Sequence, residues 1–378
     1  MITLDKEQKC LLELVKASLF SSAPIIPDDV SWDKIHELAK TQCIVPLISS
    51  CVPSEYRNSW LDITCQSKAK YMQMLYEQNS LIRLLNSNSI HFVIFKGTAA
   101  AVYYPVPSLR TFGDIDFYVS EGNFDFTNSL LENNGYLLTE QSDRHYSYIK
   151  NGIEFELHRK INSIHYKNVE GIFLNGLNNS IEYKIGNISF PGLPIYENGL
   201  VLLGHIIAHL KQSGVGLRQI IDWMMYVHKE LDDKVWLEQF SPFAREAGLE
   251  KLAITVTYMC KKWLGLPNEI TWCDCADEEV ADQLLMRVME DGNFGSNRAP
   301  SESVKYLLKK EGIFKYLQRS GMLTWPLAQK HAILRPFAWL YQLCKYAGKG
   351  IANFFTGKKF FMKNRHNMSL EELLESLE

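Results

Sequence analysis

Two aspartates two positions apart, Asp114 and Asp116, follow Gly113 and are interleaved with the apolar residues Ile115 and Phe117. Side chains alternate along a strand, so both carboxylates face one way and Ile115 and Phe117 the other. Carboxylates this close repel and raise each other's pKa unless a cation lies between them. A hard divalent ion, Mg²⁺ or Mn²⁺, held jointly by carboxylate and substrate phosphate oxygens, is the chemistry that suits the spacing. Upstream, Phe92-Val93-Ile94-Phe95 has the composition of a buried strand and runs into Lys96-Gly97-Thr98. Thr98 is expected to cap a short helix that Pro105 and Pro107 stop, and the Gly97 and Thr98 amides at its start can hold a phosphate.

A third acid comes from a hairpin. Asn151-Gly152 separates Tyr146–Ile149 from Ile153–His158 and is a strong two-residue turn signal. In the second strand Glu154, Glu156 and His158 share one face. Periodicity alone leaves Glu154 and Glu156 as equal candidates.

A strand ending in Lys96-Gly97-Thr98, then Tyr104-Pro105, Arg110 and Asp114-Ile115-Asp116, resembles the polymerase-beta-like nucleotidyltransferases. More narrowly, the pattern is similar to a bacterial family of uncharacterised nucleotidyltransferases. Thr98 stands where Ser or Gly is commoner, and keeps the hydroxyl. In that family the third acid lies two residues before a His, which selects Glu156, where Asp is the more frequent residue.

The resemblance implies an α+β protein, a polymerase-beta-like sheet flanked by helical N- and C-terminal regions. It also implies transfer of a nucleoside monophosphate from an NTP to an unidentified acceptor: a small molecule, peptide, protein or RNA. Asp114, Asp116 and Glu156 would hold Mg²⁺ or Mn²⁺, and Glu156 would favour deprotonation of the acceptor. Gly97 and Thr98 would hold the β and γ phosphates, with Lys96 or Arg110 neutralising developing charge. Two alternatives keep the fold: a catalytically weak nucleotide-binding or partner-binding module, and a toxin-like enzyme that nucleotidylates tRNA or protein. Without metal, the three acids are expected to destabilise the free protein.

Further along, His205 and His209 have the i, i+4 spacing of a metal pair but lack the Glu that a zinc protease places beside the first His, so packing and hydrogen bonding are the expected roles. Arg218 and Asp222 are spaced to pair on one helix face. The resemblance, which spans roughly residues 60 to 265, implies that Arg218 meets a phosphate or the acceptor and that Asp222 orients it.

These side chains need a scaffold. Residues 1–90 read as helices: an apolar face through Leu11 to Leu19, Trp32–Thr41 capped by Ser31, and a long helix from Asp62 to Asn86 that braces the sheet. A catalytic core over 91–195 is expected to hold four or five strands and a helix over Phe124–Asn133. A helical region follows over 196–346. A final segment, 347–378, joins a basic stretch to an acidic helix. Between Lys345 and Arg365 basic residues are interleaved with Phe354, Phe355, Phe360 and Phe361, a composition suited to peripheral contact with an anionic membrane surface, to nucleic-acid binding, or to a helical flap closed on the domain.

The 46% hydrophobic and 22% charged composition of the 378 residues is that of a globular chain. A net charge of −3 argues against a general nucleic-acid binder. Eight cysteines without a CxxC pair read as reduced thiols, with Cys273 and Cys275 a loop feature. With no signal-peptide pattern at Met1-Ile2-Thr3 and no long apolar run, a cytoplasmic protein is expected.

Overall fold

The computed structural model describes residues 4–142, 145–159, 169–293 and 368–378, with short pieces between 312 and 341. The last part of the helical region expected over 196–346 lies largely outside the described residues, and the basic stretch 345–365 lies wholly outside them.

The N-terminal layer consists of α1 (Lys6–Phe20), α2 (Trp32–Thr41), α3 (Val45–Ile48) and α4 (Asn58–Ser87). Asp5 and Gln8 form a reciprocal capping box at α1, and the Ser31 hydroxyl accepts from the Lys34 amide at α2, so both starts follow from short polar side chains set before apolar runs. Helix α4 is 30 residues long, beginning before and ending just beyond the stretch expected from the sequence. It buries Trp60, Tyr71, Met74, Leu75, Leu81, Ile82 and Leu85. Tyr71 packs on Phe112, and Gln78 accepts a 2.7 Å hydrogen bond from the Thr98 hydroxyl.

The central sheet follows: β1 (Phe92–Phe95), α5 (Gly97–Ala101), β2 (Ile115–Val119), α6 (Glu121–Asn133), β3 (Leu137–Gln141), β4 (His145–Lys150), β5 (Ile153–His158), α7 (Val169–Asn178), β6 (Ile181–Ile185) and β7 (Ile188–Gly192). Its strand order is β3-β4-β5-β2-β1-β7-β6. Seven strands form, more than the four or five expected, because β6 and β7 join through a parallel pairing of β7 with β1. Antiparallel β1–β2 and parallel β2–β5 fix the register Phe95↔Asp116↔Glu156. The hairpin reading holds: Asn151 and Gly152 both take positive φ, 50° and 76°, as a two-residue primed turn requires. Ile115, Phe117, Phe155 and Leu157 fill the opposite face of the sheet, where Phe124 of α6 meets Tyr146 edge-on.

The C-terminal half is helical: α8 (Ile195–Gln212), α9 (Leu217–Glu230), α10 (Asp233–Val235), a π-helical turn (Trp236–Phe240), α11 (Ser241–Glu246), α12 (Glu250–Leu264) and α13 (Glu278–Asp291), with a terminal helix over Leu370–Leu377. Gln42 at the end of α2 ties this half to the N-terminal layer. Its buried amide accepts from the Leu217 amide at 2.7 Å and donates to the Val288 carbonyl at 2.9 Å. Such a residue is hard to replace, since losing one partner strands a buried polar group. No described helix is long and apolar enough to cross a membrane. Every cysteine among the described residues is free.

Candidate functional site

The sheet register assembles the acids. Asp114 sits just before β2, Asp116 lies within it, and Glu156 is opposite Asp116 on β5. One carboxylate oxygen from each lies within 4.8 Å of the others. This is a donor set of hard oxygens on adjacent strands, and it fits a small divalent cation completed by phosphate oxygens. Glu154 shares the face but ends exposed, outside that triad.

The repulsion expected among the acids persists at Asp114, but at Asp116 and Glu156 neighbouring Lys96 and His158 offset it. Lys96 Nζ lies 2.6 Å from Asp116 Oδ1, and His158 Nε2 lies 2.8 Å from the same oxygen and 3.1 Å from Glu156 Oε2. Burial works to discharge the Lys96 ammonium, but Asp116, Glu156 and Asp114 outweigh it and hold its pKa above the ordinary lysine range. Burial likewise opposes charge on His158, yet the bonds to Asp116 and Glu156 raise its pKa. For Glu156, burial is overcome by the His158 bond and by Lys96, which bring the carboxyl down to about 2. Asp114 shifts the other way: burial and the neighbouring Asp116 raise it.

Lys96 reaches the acids from an unusual backbone. With φ 54° and ψ −132° it occupies a region natural to glycine, immediately before α5. The chain thereby turns sharply from β1 into α5 and sends the lysine side chain back over the strand ends. Gly97 follows because space is short, since a Cβ there would stand 3.3 Å from the Asp114 carbonyl oxygen. Thr98 does not cap α5. It lies inside the helix, and its hydroxyl is spent on Gln78, so only its backbone faces any ligand role.

Arg110, expected near phosphate, is instead buried at 3% exposure and grips Asp222 through two bonds, Nε to Oδ1 and Nη2 to Oδ2, each 2.7 Å. The Tyr104 hydroxyl donates to the same Asp222 Oδ1 at 2.7 Å. The Arg218–Asp222 helix pair expected from spacing is therefore corrected: Asp222 serves Arg110 and Tyr104, which come from the α5–β2 connection. Arg218 still feels Asp222 and Asp114 as neighbouring charges, while burial and the nearby Arg110 lower its pKa.

Two residues of the site had no assigned role in the sequence reading. His158 was visible as the third member of an alternating face. His145 was reachable by counting: from the turn at Asn151-Gly152, two-residue hairpin pairing runs back to His145↔His158. His145 Nε2 lies 3.7 Å from Glu156 Oε1, and its ring is 5.2 Å from that of His158. Burial lowers its pKa, with Glu156 opposing.

His205 and His209 of α8 bond to each other, Nε2 to Nε2 at 2.6 Å, and His209 Nδ1 lies 2.8 Å from the Ser213 hydroxyl. Packing and hydrogen bonding account for them, as their spacing without a neighbouring Glu suggests.

Lys96 and the imidazoles of His145 and His158 thus gather around Asp116 and Glu156, and the carboxylates of Asp114, Asp116 and Glu156 could hold a cation. The family described as uncharacterised nucleotidyltransferase matches the chain over residues 28–265. No curated protein and no solved structure matches it.

Proposed function

Because the chain belongs to the uncharacterised nucleotidyltransferase family, we propose that it is a metal-dependent enzyme moving a nucleoside monophosphate from an NTP to an acceptor hydroxyl or phosphate, with release of pyrophosphate. The observation that carries this reading is the gathering of Asp114, Asp116 and Glu156 to within 4.8 Å on neighbouring strands.

In this reading Asp114, Asp116 and Glu156 would hold Mg²⁺ or Mn²⁺, which would supply positive charge to the triphosphate and lower the pKa of the acceptor hydroxyl. Glu156, held ionised by His158 and Lys96, is too weak a base to take that proton itself and would favour its loss by helping to hold the metal. Lys96 has two duties: it balances the acids in the free protein and offers its ammonium to phosphate in the complex. The Gly97 and Thr98 amides would hold the β and γ phosphates, with Arg218 of α9 as a further phosphate contact. Arg110 and Asp222 act behind this layer, as a buried tie that fixes α9 against the strand ends.

The test is incubation of the purified protein with Mg²⁺ and each labelled NTP, with and without chelator. Chelator-sensitive pyrophosphate release or labelling of an acceptor is the expected result. Calorimetry should show NTP affinity falling when the metal is removed. Nucleotide affinity indifferent to chelator, with no pyrophosphate released, would sink the proposal.

A further inference from the structure

His145 and His158 stand outside the triad of acids, yet each turns a ring nitrogen towards one of its members. His145 Nε2 lies 3.7 Å from Glu156 Oε1, and His158 Nε2 lies 3.1 Å from Glu156 Oε2. One ligand atom from each of the three residues lies within 4.8 Å of the others. A tetrahedral ion with bonds of about 2.0–2.1 Å sets neighbouring ligand atoms about 3.3 Å apart, and the two observed spacings fall on either side of that value. Two imidazoles and a carboxylate differ in character from three carboxylates. They suit zinc, cobalt and other first-row divalent ions, where oxygen alone suits magnesium.

These ligands are held in place by their surroundings. His145 and His158 are directly opposed across the β4–β5 hairpin, and Glu156 precedes His158 by two residues on the same face of β5. The Phe95 ring packs against that of His158, with centroids 4.9 Å apart and planes at 67°. Ser142 fixes the backbone of His145: its hydroxyl donates to the His145 carbonyl at 2.9 Å and accepts from the His145 amide at 3.1 Å. His158 is buried, while His145 and Glu156 are half-buried. The His158 nitrogen also lies 2.8 Å from Asp116 Oδ1, so an ion bound here takes the place of a proton shared between ring and carboxylates.

We propose that His145, Glu156 and His158 form a second metal site, for a divalent transition ion with Zn²⁺ as the fitting occupant, beside the oxygen-only triad and sharing Glu156 with it. A carboxylate has two oxygens and several lone pairs, so Glu156 can serve both ions. Three protein ligands leave an open coordination position for water or an acceptor oxygen. The ion clamps β4 to β5, and the site does not depend on the nucleotide reading.

Co²⁺, which absorbs visible light and substitutes for Zn²⁺, is the probe. It is added to the full chain without nucleotide, in excess Mg²⁺ to occupy the triad. A visible band should appear, saturate and be abolished by Zn²⁺. His145→Ala should weaken Co²⁺ binding at least about tenfold, since even residues behind a metal's ligands contribute about 10–100-fold to its affinity. Asp114→Asn, which alters the triad alone, should weaken it far less. Zn²⁺ should raise the melting temperature of the wild type and leave that of His145→Ala unmoved. As a check that needs no substitution, ¹⁵N-histidine spectra of the wild-type protein should show the His145 and His158 rings shifting on addition of Zn²⁺, with His205 and His209 unchanged. Absence of Co²⁺ binding in Mg²⁺ overturns the proposal, as does an Asp114→Asn loss equal to or larger than that of His145→Ala. Zn²⁺ shifts confined to His205 and His209 overturn it too. Nucleotide turnover is read in a separate assay, so a failure of the transferase reading and a failure of this site are told apart.

Discussion

At the scale of single residues, Lys96 and Asp116 carry the sharpest expectations. Asp116→Asn removes a proposed metal ligand, and turnover should fall at least about a hundredfold, the scale of one lost electrostatic contact in the transition state. The sequence argues that the free protein should be relieved by this change, because like charges are thinned. The structure reverses that sign, since Lys96 and His158 share the lost oxygen. The melting temperature without ligand should therefore drop, and a rise on thermal scanning would mean that repulsion dominates after all. Lys96 separates backbone from charge. Its positive φ costs about 1–3 kcal/mol in a residue with a Cβ. Lys96→Gly should thus be more stable than Lys96→Ala in urea denaturation, while both bind Mn²⁺ more tightly than the wild type in the absence of nucleotide, because the competing ammonium is gone. Equal Mn²⁺ affinity in all three would show that Lys96 does not compete with the ion.

Between elements, the tie of Arg110 to Asp222 decides how the helical half meets the sheet. Both groups are almost wholly buried, and removing one leaves the other charged and unpaired. Arg110→Ala should cost about 3–5 kcal/mol of stability in denaturant unfolding, and the paired replacement Arg110→Met with Asp222→Leu should recover much of it. A loss under 1 kcal/mol for the single change (about the value of an exposed pair) would show that the tie is slack. Local signals made much of the fold legible: β1 by its β-branched and aromatic run, the β4–β5 hairpin by Asn151-Gly152, α2 by Ser31. The acids Asp114, Asp116 and Glu156 were legible too, the last through family pattern and not through periodicity. What escaped was non-local. Nothing near Arg110 signals a partner at Asp222, where the helical spacing to Arg218 offers a plausible but different mate. Likewise β7 finds β1 through tertiary packing that no adjacent residue announces.

For the whole molecule, the neutral imidazole pair of α8 sets a pH dependence. In the unfolded chain a histidine titrates near pH 6.5, whereas His209 in the folded protein titrates near 3 and His205 well below its ordinary value. The unfolded state therefore binds more protons in between. The stability from this pair is fully present above about pH 6.5 and is lost as pH falls towards 3. Melting temperature measured from pH 8 downwards should decline through this window in the wild type and more gently in His209→Gln. A parallel decline in both would place the acid sensitivity elsewhere.

The parallel pairing of β2 with β5 also sets the order in which the protein can assemble. Antiparallel neighbours close through a tight turn, but parallel ones wait for the chain between them, here α6, β3 and β4, to find its place. The β1–β7 pairing imposes a second, longer wait. Loop-closure entropy must be met before either contact is rewarded, so ion binding should emerge late in refolding. In a denaturant-dilution experiment, helical circular dichroism should return first and Mn²⁺ binding by the acids in the slowest phase. The acid cluster would then take shape only at the last step of becoming a fold.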